Sequence, residues 1–167
     1  MIERAALRGK RIAVLGAGGV ARAVAVGLAD EGARVVVLNR NEDRARRMCA
    51  QLQEGAMRAR SVAGDLGRVD AVAGSMSAGR TTELSSGEFH AFVNCTPVGM
   101  QGGPDPQGNP LVSDVRLDDT MTVMDTVYAP RETPLMIHAR SCGARTVDGW
   151  IMFTKQAERQ FRLWHTD

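Results

Sequence analysis

A chain of 167 residues with a formal charge of +2 is long enough for one domain, and such a domain buries roughly 70% of its unfolded surface. Its composition, 44% hydrophobic and 24% charged, is ordinary for a globular protein, and the absence of a basic run excludes a nucleic-acid footprint. No apolar stretch approaches the ~18 residues of a membrane span, and the opening residues do not read as a signal peptide. Cys49, Cys95 and Cys142 are odd in number and widely spaced. They read as reduced thiols of a cytoplasmic protein, not as a disulfide frame or a metal site. Arginine supplies 19 of the basic residues and lysine only two, Lys10 and Lys155.

Apolar runs alternate with amphipathic stretches, the pattern of an α/β fold with a doubly wound, mainly parallel sheet and helices on both faces. Residues 11–15 read as a buried first strand. A helix follows over 19–30, with Val20, Val24 and Leu28 at helical spacing. A second strand is predicted at 35–38 and a second helix at 42–52. From 54 to 90 the periodicity is poor. A third strand at 69–73 competes with 57–62 for that role, and the glycines and serines of 74–87 read as loop with one helical turn. Residues 91–95 form a strand, 96–110 a Gly/Pro-rich loop, and 122–127 the fifth strand. Thr133 followed by Pro134 marks a helix start, and Gly143 its end. A short strand at 145–147 precedes a last helix, capped by Asp148 and running to Trp164. The expected strand order is 3-2-1-4-5-6, with right-handed crossovers.

Gly16-Ala17-Gly18-Gly19-Val20-Ala21 lies between a strand and a helix and fits G-x-G-x-x-A, the dinucleotide fingerprint. Gly16 permits the tight turn, Gly18 lets the backbone approach a pyrophosphate, and Ala21 lets the helix sit close to the strand. The free N–H groups of the helix start then face the anion. An NAD site usually has Asp or Glu at the end of the second strand. Here that place holds Asn39-Arg40-Asn41, with Arg44 one turn further on. Two guanidiniums suit the 2′-phosphate of NADP, and Arg40 can also stack on the adenine. Arg46 and Arg47 read equally well as solvated charges. Glu42, if turned inward, would favour NAD instead.

Asn94-Cys95-Thr96-Pro97-Val98-Gly99-Met100 ends the fourth strand, and Asp125-Thr126-Val127-Tyr128, with Pro130, ends the fifth. Thr133-Pro134-Leu135 follows, then Asp148-Gly149, Met152 and Gln156 on the last helix, which closes with Leu163-Trp164. In that order and spacing, and with the motifs at 16–23 and 39–45, the chain resembles the NADP-binding, C-terminal half of the shikimate dehydrogenase family. The resemblance runs from Gly9 to Trp164 and is weakest between 54 and 90. It implies an NADP-dependent oxidoreductase interconverting 3-dehydroshikimate and shikimate in aromatic amino-acid (chorismate) biosynthesis.

The same resemblance implies roles. Residues 16–20 hold the pyrophosphate, and Asn39, Arg40, Asn41 and Arg44 the adenosine end. Thr96 and Pro97 border the adenine, Thr126 and Gly149 the nicotinamide, and Tyr128 and Gln156 reach the substrate. Position 126 departs from the family, which more often carries a larger apolar residue there. Each assignment has a plainer reading: Asn94 and Thr96 as strand-end caps, Asp125 as a satisfied structural carboxylate, Tyr128 as surface packing, Met152 as core, Gln156 as solvated. The family's catalytic Lys and its Asp partner belong to an N-terminal substrate domain on the order of 100 residues long. No catalytic residue is expected within 1–167, which reads as one NADP-binding domain, with 1–8 as the end of a connecting helix. A stand-alone NADP-binding module and an NAD-using quinate/shikimate paralogue are the alternatives.

Overall fold

The computed structural model describes residues 7–63, 75–85, 88–111 and 114–165. Six parallel strands form one sheet: β1 (Arg11–Leu15), β2 (Arg34–Leu38), β3 (Met76–Gly79), β4 (Ala91–Asn94), β5 (Thr122–Asp125) and β6 (Arg145–Val147). Their order is β3-β2-β1-β4-β5-β6, as the alternating pattern predicts. Among the described residues there are four α-helices: α1 (Gly19–Asp30), α2 (Glu42–Ala63), α3 (Pro134–Ser141) and α4 (Gly149–Trp164).

The central strands read as unbroken apolar runs because both faces of the sheet are covered. Ile12, Val14, Val35 and Val37 point into one core with Ala21, Ala25, Ala29 and Met48. Ala13, Leu15, Val36 and Leu38 point into the other with Phe92, Val123, Leu135 and Ala139. The buried stripe of α1 is Ala21, Ala25 and Ala29, one position on from the predicted stripe of Val20, Val24 and Leu28. Val24 and Leu28 pack at the edge of the core, and Val20 is 43% exposed. The reason is close approach. Only alanines let the helix axis settle onto the sheet, and that shifts the larger residues to the flanks.

The region of weak periodicity is where sequence and structure part. The strand predicted at 69–73 lies outside the described residues, and the strand beside β2 is Met76–Gly79, within the stretch read as loop. Met-Ser-Ala-Gly carries one large apolar side chain and forms a sheet edge, so it shows no apolar run. The expected helical turn is present as a 3₁₀ turn at Thr81–Leu84. The competing strand at 57–62 is helical, because α2 continues past residue 52 to Ala63. Residues 7–9 form a turn. The rest of the connecting helix expected over 1–8 lies outside the described residues.

Strands β4 and β5 end one and two residues earlier than predicted. The Cys95 N–H still bonds Leu15 O (2.9 Å) and the Thr126 N–H still bonds Asn94 O (3.0 Å). Beyond them the Val127 N–H turns to the Asp125 side chain (3.0 Å) and leaves the ladder. Both predicted helix caps are present. Thr133 Oγ1 accepts from the Met136 N–H (3.3 Å), and Asp148 Oδ1 from the Ile151 N–H (3.0 Å). Gly143, at φ +81°, follows the last turn of α3.

Candidate nucleotide-binding site

In a sheet of this order the chain reverses direction between β1 and β4, and the crevice past their carboxyl ends is where open α/β sheets bind ligands. The glycine loop lies there. Gly16 has φ +107°, and a Cβ on it would lie 3.0 Å from Cys95 O and 3.2 Å from Thr96 Cγ2. Conformation and contact together demand glycine. Gly18 is the N-cap of α1 and offers no side-chain cap, so the first N–H groups of the helix point outward with no intrahelical acceptor. Cβ atoms on Gly18 or Gly19 would meet nothing within 4 Å. Here glycine leaves open space for a ligand at a helix end suited to anions.

At the end of β2, Asn39 Nδ2 donates to Asn41 O (2.8 Å), and Asn41 Oδ1 accepts from the Arg44 N–H (3.2 Å). Asn41 is thus the N-cap of α2. Arg40 and Arg44 are exposed, and neither is recorded in an ion pair among the described residues. Glu42 is not free. Its Oε1 meets Arg46 Nη2 at 2.5 Å and its Oε2 meets Arg80 Nε at 3.0 Å. Hydrogen bonds from Arg46 and then Arg80 hold its carboxyl below the usual carboxylate range. Arg46 is thereby an ion-pair partner and not merely a solvated charge.

The floor between β4 and β5 is a buried polar knot. Asn94 Nδ2 donates to Asp125 Oδ1 (2.9 Å), and Asn94 Oδ1 accepts from the Thr96 N–H (2.9 Å) and Thr96 Oγ1 (2.7 Å). Thr133 Oγ1 donates to Asp125 Oδ2 (2.7 Å). All three of Asn94, Asp125 and Thr133 are 0% exposed. Burial pushes the Asp125 carboxyl up, against the hydrogen bonds from Thr133, Val127 and Asn94 that pull it down. Asn94 and Asp125 thus take their plainer reading: they tie strand ends and the α3 cap together.

Above the knot opens a cleft of ≈ 400 Å³ lined by Val20, Thr96, Pro97, Met100, Thr126 and Tyr128, among others. Five of the residues singled out from the sequence therefore meet: Val20, Thr96, Pro97, Thr126 and Tyr128. Gly149 adjoins them, because a Cβ there would clash with Val127 O and lie 2.7 Å from Thr126 O. Its lack of a side chain has a packing cause, since the α4 N-terminus rests directly on the β5 end. The Tyr128 ring stacks on Phe153 of α4 (centroids 5.0 Å, 26°), so surface packing and cleft lining hold at once. Met152 is half-buried and Gln156 is exposed two turns along α4; neither is among the residues that line the cleft. Cys95, Met100, Gln101, Val127 and Ala129 line it too, with no role assigned to them from the sequence. Cys95 and Met100 belong to the motif at 94–100, Gln101 follows it, and Ala129 stands between Tyr128 and Pro130 of the other motif. Arg80 was missed for the same reason as β3.

Fold and site together define a doubly wound nucleotide-binding domain of the Rossmann type. The family described as shikimate / quinate 5-dehydrogenase matches residues 2–93, more than half of the chain. The chain belongs to that family. The NADP(+)-dependent shikimate dehydrogenase of Methanocella arvoryzae is 37% identical over 158 residues, covering 95% of this chain and 51% of that protein. Among solved structures, the quinate dehydrogenase of Corynebacterium glutamicum in complex with NAD superposes with TM-score 0.72 at 27% identity, covering 93% of this chain and 50% of that one. The shikimate 5-dehydrogenase of Thermus thermophilus, in complex with NADP(H) and shikimate, does so with TM-score 0.66 at 28% identity, covering 95% and 50%. The chain spans about half the length of the curated relatives it matches. No described helix is long and apolar enough to cross a membrane.

Proposed function

We propose that this chain is the NADP-binding domain of a shikimate dehydrogenase, working with a substrate-binding domain that supplies the proton-transfer groups. The observation that carries it is the uncapped N-terminus of α1 opening at the β1/β4 switch point, one strand away from two arginines recorded in no ion pair. In this reading Gly16, Ala17, Gly18, Gly19 and Val20 cradle the pyrophosphate. Arg40 and Arg44 grip the adenosine 2′-phosphate, with Asn39 and Asn41 shaping the turn that presents them. Thr96 and Pro97 border the adenosine side of the cleft, and Thr126 and Gly149 the nicotinamide side. Tyr128, and Gln156 from α4, meet shikimate or 3-dehydroshikimate from above. The cofactor supplies hydride; the chain's own residues bind and orient it. The free thiols of Cys49, Cys95 and Cys142 fit a cytoplasmic protein.

The NAD-bound quinate dehydrogenase raises the alternative of an NAD enzyme. Against it stand the clamped Glu42 and the lack of any other carboxylate at residues 39–41. Titration calorimetry of this chain with NADPH and NADH tests the choice, and NADPH is expected to bind more tightly. Arg40→Ala weakens NADPH ~10- to 100-fold, as for loss of a charge-assisted bond, and leaves NADH unchanged. Equal affinities in the unsubstituted chain would reject the 2′-phosphate grip.

A further inference from the structure

The register of the sheet puts one more basic residue at the adenosine end than the sequence pattern reveals. Leu38 pairs with Gly79, and the Asn39 N–H donates to Gly79 O (3.2 Å). Arg80, the next residue, therefore stands beside Asn39 and Arg40 past the carboxyl end of β2. The Glu83 carboxylate accepts from its N–H (2.9 Å) and fixes its backbone at the start of the 3₁₀ turn. The Arg80 side chain reaches Glu42 Oε2 at 3.0 Å, while Arg46 takes Oε1.

We infer that Arg80 is a positioning residue for cofactor choice: it occupies the second oxygen of Glu42, a carboxylate placed near the β2 end where one could serve a ribose 2′-hydroxyl, and so leaves the site to Arg40 and Arg44. The inference rests on the NADP reading above. A carboxylate near the end of the second strand is what NAD sites use to accept a bond from the 2′-hydroxyl, and its charge repels a 2′-phosphate. Glu42 is only 22% exposed in its side chain and stands between Arg40 and Arg44 in sequence. Arg46 holds Oε1 from the same helix, four residues on, through Nε and Nη2. The Arg46 and Arg80 guanidiniums are equally exposed, and an exposed pair by itself is weak, so it takes both to occupy both oxygens. Arg80 comes from just past the end of β3 and occupies the second oxygen. Without it, Oε2 has no other cation bonded to it among the described residues and is left able to accept a bond from a ribose 2′-hydroxyl.

Affinities for NADPH and NADH measured by calorimetry on Arg80→Ala, Arg80→Lys and the double variant Arg80→Ala/Glu42→Gln test this. In Arg80→Ala the ratio of NADPH to NADH affinity falls about fivefold or more. Adding Glu42→Gln, which removes the liberated charge, restores the ratio, and Arg80→Lys retains it. A purely structural role for Arg80 would weaken both nucleotides alike and leave the ratio unmoved, which overturns the inference. So does a loss of NADPH affinity that Glu42→Gln fails to relieve, since Arg80 would then touch the phosphate itself. An unsubstituted chain without NADPH preference overturns the NADP reading and this one with it, and is recognised before any Arg80 variant is made.

Discussion

Asp125 and Cys95 are neighbours across β4 and β5, and burial acts on both by penalising the charged form. Asp125 meets three donors, from Asn94, Val127 and Thr133, which is how a buried carboxylate is made tolerable. No cation among the described residues favours the Cys95 thiolate. Burial, and then the Asp125 charge, push its thiol up to about 12, against a hydrogen bond with Thr126. A folded value above the unfolded one stabilises the fold fully below pH 9.0, and that contribution is lost as the pH rises toward about 12. At pH 8 the thiolate fraction is about 10⁻⁴, so Cys95 lines the cleft without being a nucleophile. Iodoacetamide at pH 8 followed by peptide mass spectrometry is expected to leave Cys95 unmodified in native protein and alkylate it in urea. Native labelling as fast as the urea control would show that the thiol is not held as described.

At the scale of elements, the site depends on how closely helices approach strand ends. The all-alanine stripe of α1 brings its N-terminus over β1. At α4 the approach is closer still, with Gly149 against the backbone of Thr126 and Val127. The neighbours there are backbone atoms, which cannot swing aside as a side chain would. Gly149→Ala is therefore expected to cost about 1–3 kcal/mol, as overpacking does, read from the urea midpoint, and to weaken nucleotide binding by displacing α4. An unchanged midpoint would mean that α4 re-seats at no cost. Most of α4 is exposed, including Ile151, Phe161, Leu163 and Trp164. Its first turn is what this domain holds in place, through Gly149, the Asp148 cap and the Tyr128–Phe153 stack.

For the molecule as a whole, the two lysines bear on whether the chain can catalyse by itself. Lys10 precedes β1, at the opposite end of the strands from the cleft, and Lys155 pairs with Glu158 on exposed α4 at 3.2 Å. Neither lysine is among the residues that line the cleft. General acid–base groups contribute typically ~10²–10⁴-fold, and orienting the substrate contributes further. We expect this chain with saturating shikimate and NADP to form no NADPH above a protein-free control, measured by absorbance, although it binds NADPH. Activity that scales with protein and survives repurification would refute this and direct attention to Lys155. Activity that appears on adding a separate substrate domain would support the division of labour proposed here. Binding without activity in either case would favour a stand-alone binding module.

The sequence alone determined the sheet order, the glycine loop, the turn after β2 and all four helix starts through rules that act over a few residues. Apolar runs of four or five mark strands buried on both faces. Glycine at Gly16 answers a local backbone need, Thr133 and Asp148 cap by side chains three residues from their targets, and Pro134 stands at the first helical position, where no N–H is needed. What escaped was decided by residues far apart in the chain. β3 is a strand because β2 offers it an unpaired edge, not because Met-Ser-Ala-Gly favours one. The state of Glu42 was left open by sequence, since its partner Arg80 lies 38 residues away and becomes its neighbour only when β3 pairs with β2. Asp125 reads from the sequence as a satisfied structural carboxylate, but the donors that satisfy it are not legible there. Tertiary packing makes it structural, by burying it among donors from β4, its own loop and α3.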